Sequence, residues 1–226
     1  MKRIFYAALL AIASLLAGIP AAAQHFTCAQ YETDAKRWQD IEQLFKRQGW
    51  SQWALAVKDA FPLNNDRSIQ YKYVLSSDVP CSQKRLTELV QKWITLEHPN
   101  VLPLPADQTV DLKVQTLWDN VAHSYRVFSA AYVSAKSETF VEFKENRLRI
   151  TVTVSRYVMG AANPFQVNSD TPLVGDCYPF DLNGKWKNVM AMAYINSNQK
   201  ALDQVASLLN YLNRHAAAPA KSDKDW

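Results

Sequence analysis

Between Arg147 and Ser155 the side chains alternate without a break. Leu148, Ile150, Val152 and Val154 take one parity, and Arg147, Arg149, Thr151 and Thr153 the other. Successive strand residues point to opposite faces, so this run predicts a strand with one apolar and one polar side. Such a strand is stable only in an antiparallel sheet that is covered on one face and wet on the other. Ile69–Ser76 repeats the pattern: Ile69, Tyr71, Tyr73 and Leu75 are set against Gln70, Lys72, Val74 and Ser76. Three further strand-like runs fall at 110–118, 123–133 and 139–144. Glu145-Asn146 predicts a tight hairpin turn, because asparagine tolerates a positive φ.

Four stretches carry the helical period instead. From Cys28 to Gln48, residues Tyr31, Ala35, Trp38, Ile41, Leu44 and Phe45 share one stripe, and Gly49 supplies a left-handed terminator. A shorter helix follows with Trp50, Trp53, Ala54, Val57 and Phe61, and Pro62 to Asp66 breaks it. Ser82 reads as the cap of a third helix carrying Leu86, Leu89, Val90, Trp93 and Ile94, which ends near His98 because Pro99 follows. The last runs from about Val189 to Arg214 with Leu202, Val205, Leu208, Leu209 and Leu212, and Asn196-Ser197-Asn198 predicts a division within it. Residues 156–184, with Pro164, Pro172 and Pro179, read as a long structured loop.

The expected class is α+β: an antiparallel sheet of about five strands in the order β-α-β-β-β-β-α, with two extra N-terminal helices. The helices must stack on the apolar side of the sheet.

Residues 1–23 have the form of an export signal. Lys2 and Arg3 precede an apolar run, Phe5 to Ala17, that is too short to span a bilayer, and Ala21-Ala22-Ala23 offers a small-residue cleavage site before Gln24. His25-Phe26-Thr27 before Cys28 is the wrong sequence for a lipid anchor. The expected location is periplasmic or secreted, without a membrane anchor. Removing Lys2 and Arg3 from 25 basic side chains leaves 23 against 21 acidic ones, which argues against nucleic acid as a partner. Glycine is too sparse for a phosphate-cradling loop. Cys28, Cys81 and Cys177 allow three different pairings, and the sequence does not choose among them.

The stretch Phe61-Pro62-Leu63 through Asp66, then Ile69-Gln70-Tyr71, then Ser82 leading to Leu86 and Trp93, resembles a family of secreted bacterial domains of unknown function. That family's fold is like that of the TATA-binding protein (TBP-like). Its later hairpin is similar to Phe140–Val154, so the resemblance covers residues 60–156. It implies a TBP-like fold and carries no catalytic or binding residue. The organisation expected is therefore a signal peptide at 1–23, a helical segment at 24–60 and a TBP-like domain at 61–156. A loop and a helix packing on the sheet occupy 157–214, and a disordered tail occupies 215–226.

Candidate chemistry is sparse. Cys177, in Val174-Gly175-Asp176-Cys177-Tyr178-Pro179, is a possible nucleophile if His98 or His123 serves as base. His25 and His215 lie near the ends of the mature chain, and no two histidines share a helix at ligand spacing. Glu138 and Glu142 share a strand face, and cross-strand pairing with Arg147 and Arg149 explains them better than a catalytic carboxylate pair. Trp38, Trp50 and Trp53, with Tyr71 and Tyr73, either form a recognition platform or pack the helices onto the sheet. No catalytic, cofactor or metal residue is therefore assigned. The expected function is an exported non-catalytic module binding an envelope protein or glycan, in part through the Arg147, Arg149, Thr151, Thr153 face. The alternative is a small periplasmic hydrolase or thiol enzyme using Cys177 with a histidine.

Overall fold

A computed structural model describes residues 26–98, 111–126, 129–161, 171–183 and 186–216. The leader at 1–23, Pro103 and Pro105 of the connector, Pro164 and nearly all of the tail lie outside the described residues. Strand β1 is Phe26–Thr27, and helices α1 (Ala29–Phe45) and α2 (Trp50–Ala60) follow. Next come β2 (Ile69–Ser77), α3 (Gln83–Glu97), β3 (Leu112–Arg126), β4 (Ser129–Lys144), β5 (Arg147–Ala161) and α4 (Lys187–His215). The strands form one antiparallel sheet in the order β1-β2-β5-β4-β3. The α+β class and the five-stranded sheet are those expected.

The local signals act as their chemistry requires. The Ser82 hydroxyl accepts the Arg85 amide at 3.2 Å and caps α3. Gly49, at φ 95°, joins a 3-10 turn to α2. Asn146 takes φ 60° in the two-residue turn that sets Lys144 opposite Arg147. Its side-chain carbonyl also accepts the Cys81 amide at 2.8 Å, and its backbone carbonyl accepts the Ser77 amide at 2.8 Å. The hairpin tip is thus tied to the β2–α3 connection.

Three expectations are corrected, besides the loop expected from residue 156, since β5 continues to Ala161 paired with β4. The runs 110–118 and 123–133 are not separate strands: β3 continues from Leu112 to Arg126 through a bulge between Trp118 and Ala122. Asn120 sits in the bulge at φ 50°, and its amide donates to the Ser134 hydroxyl at 3.2 Å. A bulge accommodates an extra residue without reversing the chain. Reversal comes instead between Arg126 and Ser129, which pair across the turn, so the expected strand at 123–133 is split between β3 and β4. The fifth strand is the two-residue β1, pinned by Asn213: the Phe26 amide donates to Asn213 Oδ1 at 2.6 Å, and Asn213 Nδ2 donates to the Phe26 carbonyl at 3.1 Å.

The third correction concerns α4, which runs unbroken for 29 residues. Asn196 donates to the Val121 carbonyl at 2.6 Å, and Asn198 accepts the Tyr71 hydroxyl at 2.9 Å while donating to the Tyr194 carbonyl. Tertiary partners satisfy the amides that would otherwise compete with the helix backbone.

All the helices among the described residues lie on one side of the sheet. Tyr71, Tyr73, Leu75, Leu148, Ile150, Val152, Val154, Val141 and Phe143 face inward against Leu86, Leu89, Trp93, Leu202, Val205 and Leu208. Helices α1 and α2 extend this core through a chain of rings from Trp38 to Phe61, Tyr71 and Tyr73. Tyr73 donates to the Asp34 carboxylate at 2.8 Å, and Tyr194 to the Phe61 carbonyl at 3.1 Å.

Candidate functional site

The same alternation that fills the core defines the opposite face, and among the described residues no helix covers it. The register gives its rows. Ser76, Arg147 and Lys144 form the first, and Val74, Arg149 and Glu142 the next. Lys72, Thr151, Phe140 and Lys113 run across four strands, as do Gln70, Thr153, Glu138 and Gln115. Arg156, Lys136 and Leu117 form a row beyond them. Neighbouring rows on one face are about 7 Å apart and strands about 4.8 Å apart, so the distance from Arg147 to Arg156 is about 30 Å.

Seven cations stand on this face: Lys72, Lys113, Lys136, Lys144, Arg147, Arg149 and Arg156. Glu138 and Glu142 oppose them, with Asp111 beside Arg149. Seven against three leaves a surplus of four on this face, whereas the chain without its leader carries 23 basic against 21 acidic side chains, a surplus of two. The rest of that chain is therefore slightly acidic, and the basic excess is concentrated on one flat surface.

Two of the cations are paired. Arg149 grips Glu142 with two guanidinium nitrogens, and Lys113 meets Glu138 at 2.8 Å. The Arg149 hydrogen bonds hold Glu142 below the ordinary carboxylate value, helped by Lys72 and Lys144. Partial burial pushes Glu138 upward, but hydrogen bonds from Lys113 and Gln115 outweigh it and leave this group depressed too. Lys72, Lys136, Lys144, Arg147 and Arg156 make no ion pair among the described residues. Of these, Arg156 donates to the Thr171 carbonyl at 2.9 Å. Cross-strand pairing of the glutamates is thus as expected for Arg149, with Lys113 rather than Arg147 as the second partner.

An open groove of about 790 Å³ lies between the end of α3, α4 and β3 near its bulge. His98 and Gln204 meet there at 3.2 Å, and Gln204 also donates to the buried Thr139 hydroxyl at 2.9 Å. Burial lowers the His98 value, so this histidine is neutral at physiological pH. Trp93 donates to Ser207, which donates in turn to Glu97. Burial raises Asp203 above the usual carboxylate range and pushes Tyr31 up to about 12.

The other sequence candidates disperse. Cys28, Cys81 and Cys177 are all buried thiols. Cys177 follows a 3-10 turn, Val174–Asp176, with its sulfur directed at the Leu173 carbonyl at 3.5 Å and beside inward-facing Tyr157. His123 is registered with Tyr132 and Gly160 on the outer face, and His98 belongs to the groove. The structure does not assemble these groups into a nucleophile and base. No three His, Cys, Asp or Glu side chains among the described residues are placed to hold a metal ion. No helix among them is long and apolar enough to cross a membrane.

The aromatic platform dissolves into packing. Trp38 and Trp53 are buried, Trp50 is 36% exposed and stacked on Trp53 at 5.5 Å, and Tyr71 and Tyr73 face the core. Sequence reasoning identified Arg147 and Arg149 but missed Lys72, Lys113, Lys136, Lys144 and Arg156. Their parity within each strand was legible. The register that lines the strands up was not.

The fold defines a helix-covered antiparallel sheet, and two solved structures are similar to it. One is a TBP-like protein from Parabacteroides distasonis, 10% identical, with a TM-score of 0.48 over 69% of this chain and 97% of that one. The other is a DUF4468 family protein from Bacteroides ovatus, 14% identical, with a TM-score of 0.46 over 66% of this chain and 90% of that one. The likeness is one of fold. No family model and no curated protein matches the sequence.

Proposed function

We propose that this chain is an exported binding module that recognises a partner in the cell envelope, a protein or a glycan, through the outer face of its sheet. The observation that supports this reading is the placement of charge. A surplus of four, twice that of the chain without its leader, stands on one face that no helix among the described residues covers, with five of its cations outside any ion pair among those residues. Rigid sheets hold such side chains in fixed rows, and charge complementarity then gives selectivity and fast association. Export is read from the leader. Mass spectrometry of the protein from its host should find Gln24 as the first residue, and a mature start at Met1 would remove the envelope from the reading.

The binding claim is tested by sedimentation with washed envelopes. The wild-type chain should pellet at low salt and be released as salt rises. The triple variant Lys72→Glu, Lys136→Glu, Arg147→Glu should stay in the supernatant with an unchanged circular dichroism spectrum. Equal pelleting of both proteins would refute the outer face as the binding surface.

A further inference from the structure

We infer that the occupant of the outer sheet face is a linear glycan carrying repeated carboxylates, an inference that rests on the binding reading above. The face already shows how it holds a carboxylate. Arg149 takes Glu142 in a two-pronged grip, and Lys113 takes Glu138 at 2.8 Å, each pair joining neighbouring strands. Arg and Lys elsewhere on the same face could repeat this chemistry and make no ion pair among the described residues: Lys72, Lys136, Lys144 and Arg147 project from the same surface. They fall in alternate rows, Lys144 and Arg147 in the first, Lys72 in the third and Lys136 in the fifth, and at about 7 Å per row this makes a series of cations about 14 Å apart along about 30 Å. A polymer with a regularly repeated charge matches such a series.

Polar neutral groups interleave with the cations. Ser76, Thr151, Thr153, Gln70 and Gln115 occupy the positions between them, and Gln70 reaches Thr153 at 3.3 Å. Hydroxyls and amides both donate and accept, which suits the hydroxyls of a sugar better than the apolar side chains of a protein. Half-buried Phe140, between Lys113 and Thr151, offers an aromatic surface in the middle of the array. An acidic protein would need large apolar anchors seated in central pockets. On this flat face the exposed apolar side chains are Val74, at 47%, and Leu117, at 49%, in rows well apart.

The test uses the full chain from Gln24 onward and four fluorescent probes in anisotropy titrations: polygalacturonate, its fully methyl-esterified form, poly-glutamate and a duplex DNA. Polygalacturonate should bind, and esterification, which removes charge and keeps the backbone, should abolish binding. Affinity should fall on the order of a hundredfold from about 50 to about 200 mM salt, the slope that five cations give on a linear polyanion. The Lys72→Gln, Lys136→Gln, Arg147→Gln variant should lose more than half of that salt slope. Poly-glutamate binding as tightly as polygalacturonate would overturn the glycan inference and leave the sheet-face reading standing with an acidic protein as partner. Tighter binding of DNA, or equal binding of the esterified polymer, would overturn it as well. Salt-independent binding unaffected by the Gln variant would overturn both.

Discussion

The two faces of the sheet are built from the same five strands and differ in what they do with alternate residues. Inside, Leu148, Ile150, Val152 and Val154 are fully buried, and outside, Arg149, Thr151 and Thr153 are half-exposed one position away. The inner face spends its side chains on cohesion, because the area removed from water there is apolar and continuous with two helices. The outer face contributes little cohesion: its ion pairs are exposed, and exposed pairs stabilise a fold only weakly. A chain that needed only a stable fold would gain nothing by collecting seven cations on one surface. The inner face therefore accounts for the fold, and the outer face is left for the recognition proposed above.

The largest effect that separates the faces is expected at Trp93, which is 1% exposed and lies between α4 and the sheet. Trp93→Ala should cost about 3–5 kcal/mol in a urea titration. A loss under about 1 kcal/mol would mean that the helix layer is not the seat of stability. Next comes Tyr71, whose hydroxyl donates to buried Asn198 at 2.9 Å. Tyr71→Phe keeps the ring but strands an amide carbonyl, and should cost about 1–3 kcal/mol. No change in the unfolding midpoint would remove the account of why α4 runs through its Asn-Ser-Asn segment.

Acid should distinguish the faces by sign. Glu138 and Glu142, on the outside, are held below their ordinary value of 4.5, so their contribution is complete above that value and is lost as the pH falls through the depressed ones. Asp203, in the groove, is raised above 3.8, so its ionised form is disfavoured and its contribution is lost as the pH rises. Glu142→Gln should thus flatten the acid limb of the stability profile, and Asp203→Asn should raise the melting temperature at neutral pH with less gain at pH 3. The reverse pattern in thermal scans would contradict the assignment of these carboxylates. Smallest of all, Thr151→Ala and Thr153→Ala should stay within about 0.5 kcal/mol of wild type.

Much of this was legible in the chain and some was not, for reasons tied to particular residues. The β5 alternation, the Ser82 cap and the Asn146 turn are local, and local chemistry decided them. The runs 110–118 and 123–133 looked like two strands, but pairing with β4 resumes at Ala122 after a bulge and carries β3 on to Arg126. Asn196 and Asn198 looked like a break and became helix because Val121 and Tyr71 bond their side chains. Phe26–Thr27 became a strand because Asn213, 187 positions from Phe26, holds it. Each miss depends on a partner distant in sequence. The outer face shared that fate: two of its seven cations stood out in one strand, and pairing of β2, β3, β4 and β5 was needed to bring the other five beside them.

The most direct test compares stability and binding in one protein. In the Lys72→Glu, Lys136→Glu, Arg147→Glu variant, the urea midpoint and envelope sedimentation should be measured side by side with wild type. The account predicts a midpoint shifted by no more than about 0.5 kcal/mol equivalent and sedimentation lost. A variant that unfolds early, or one that still pellets with the envelope, would contradict the division of labour between the two faces.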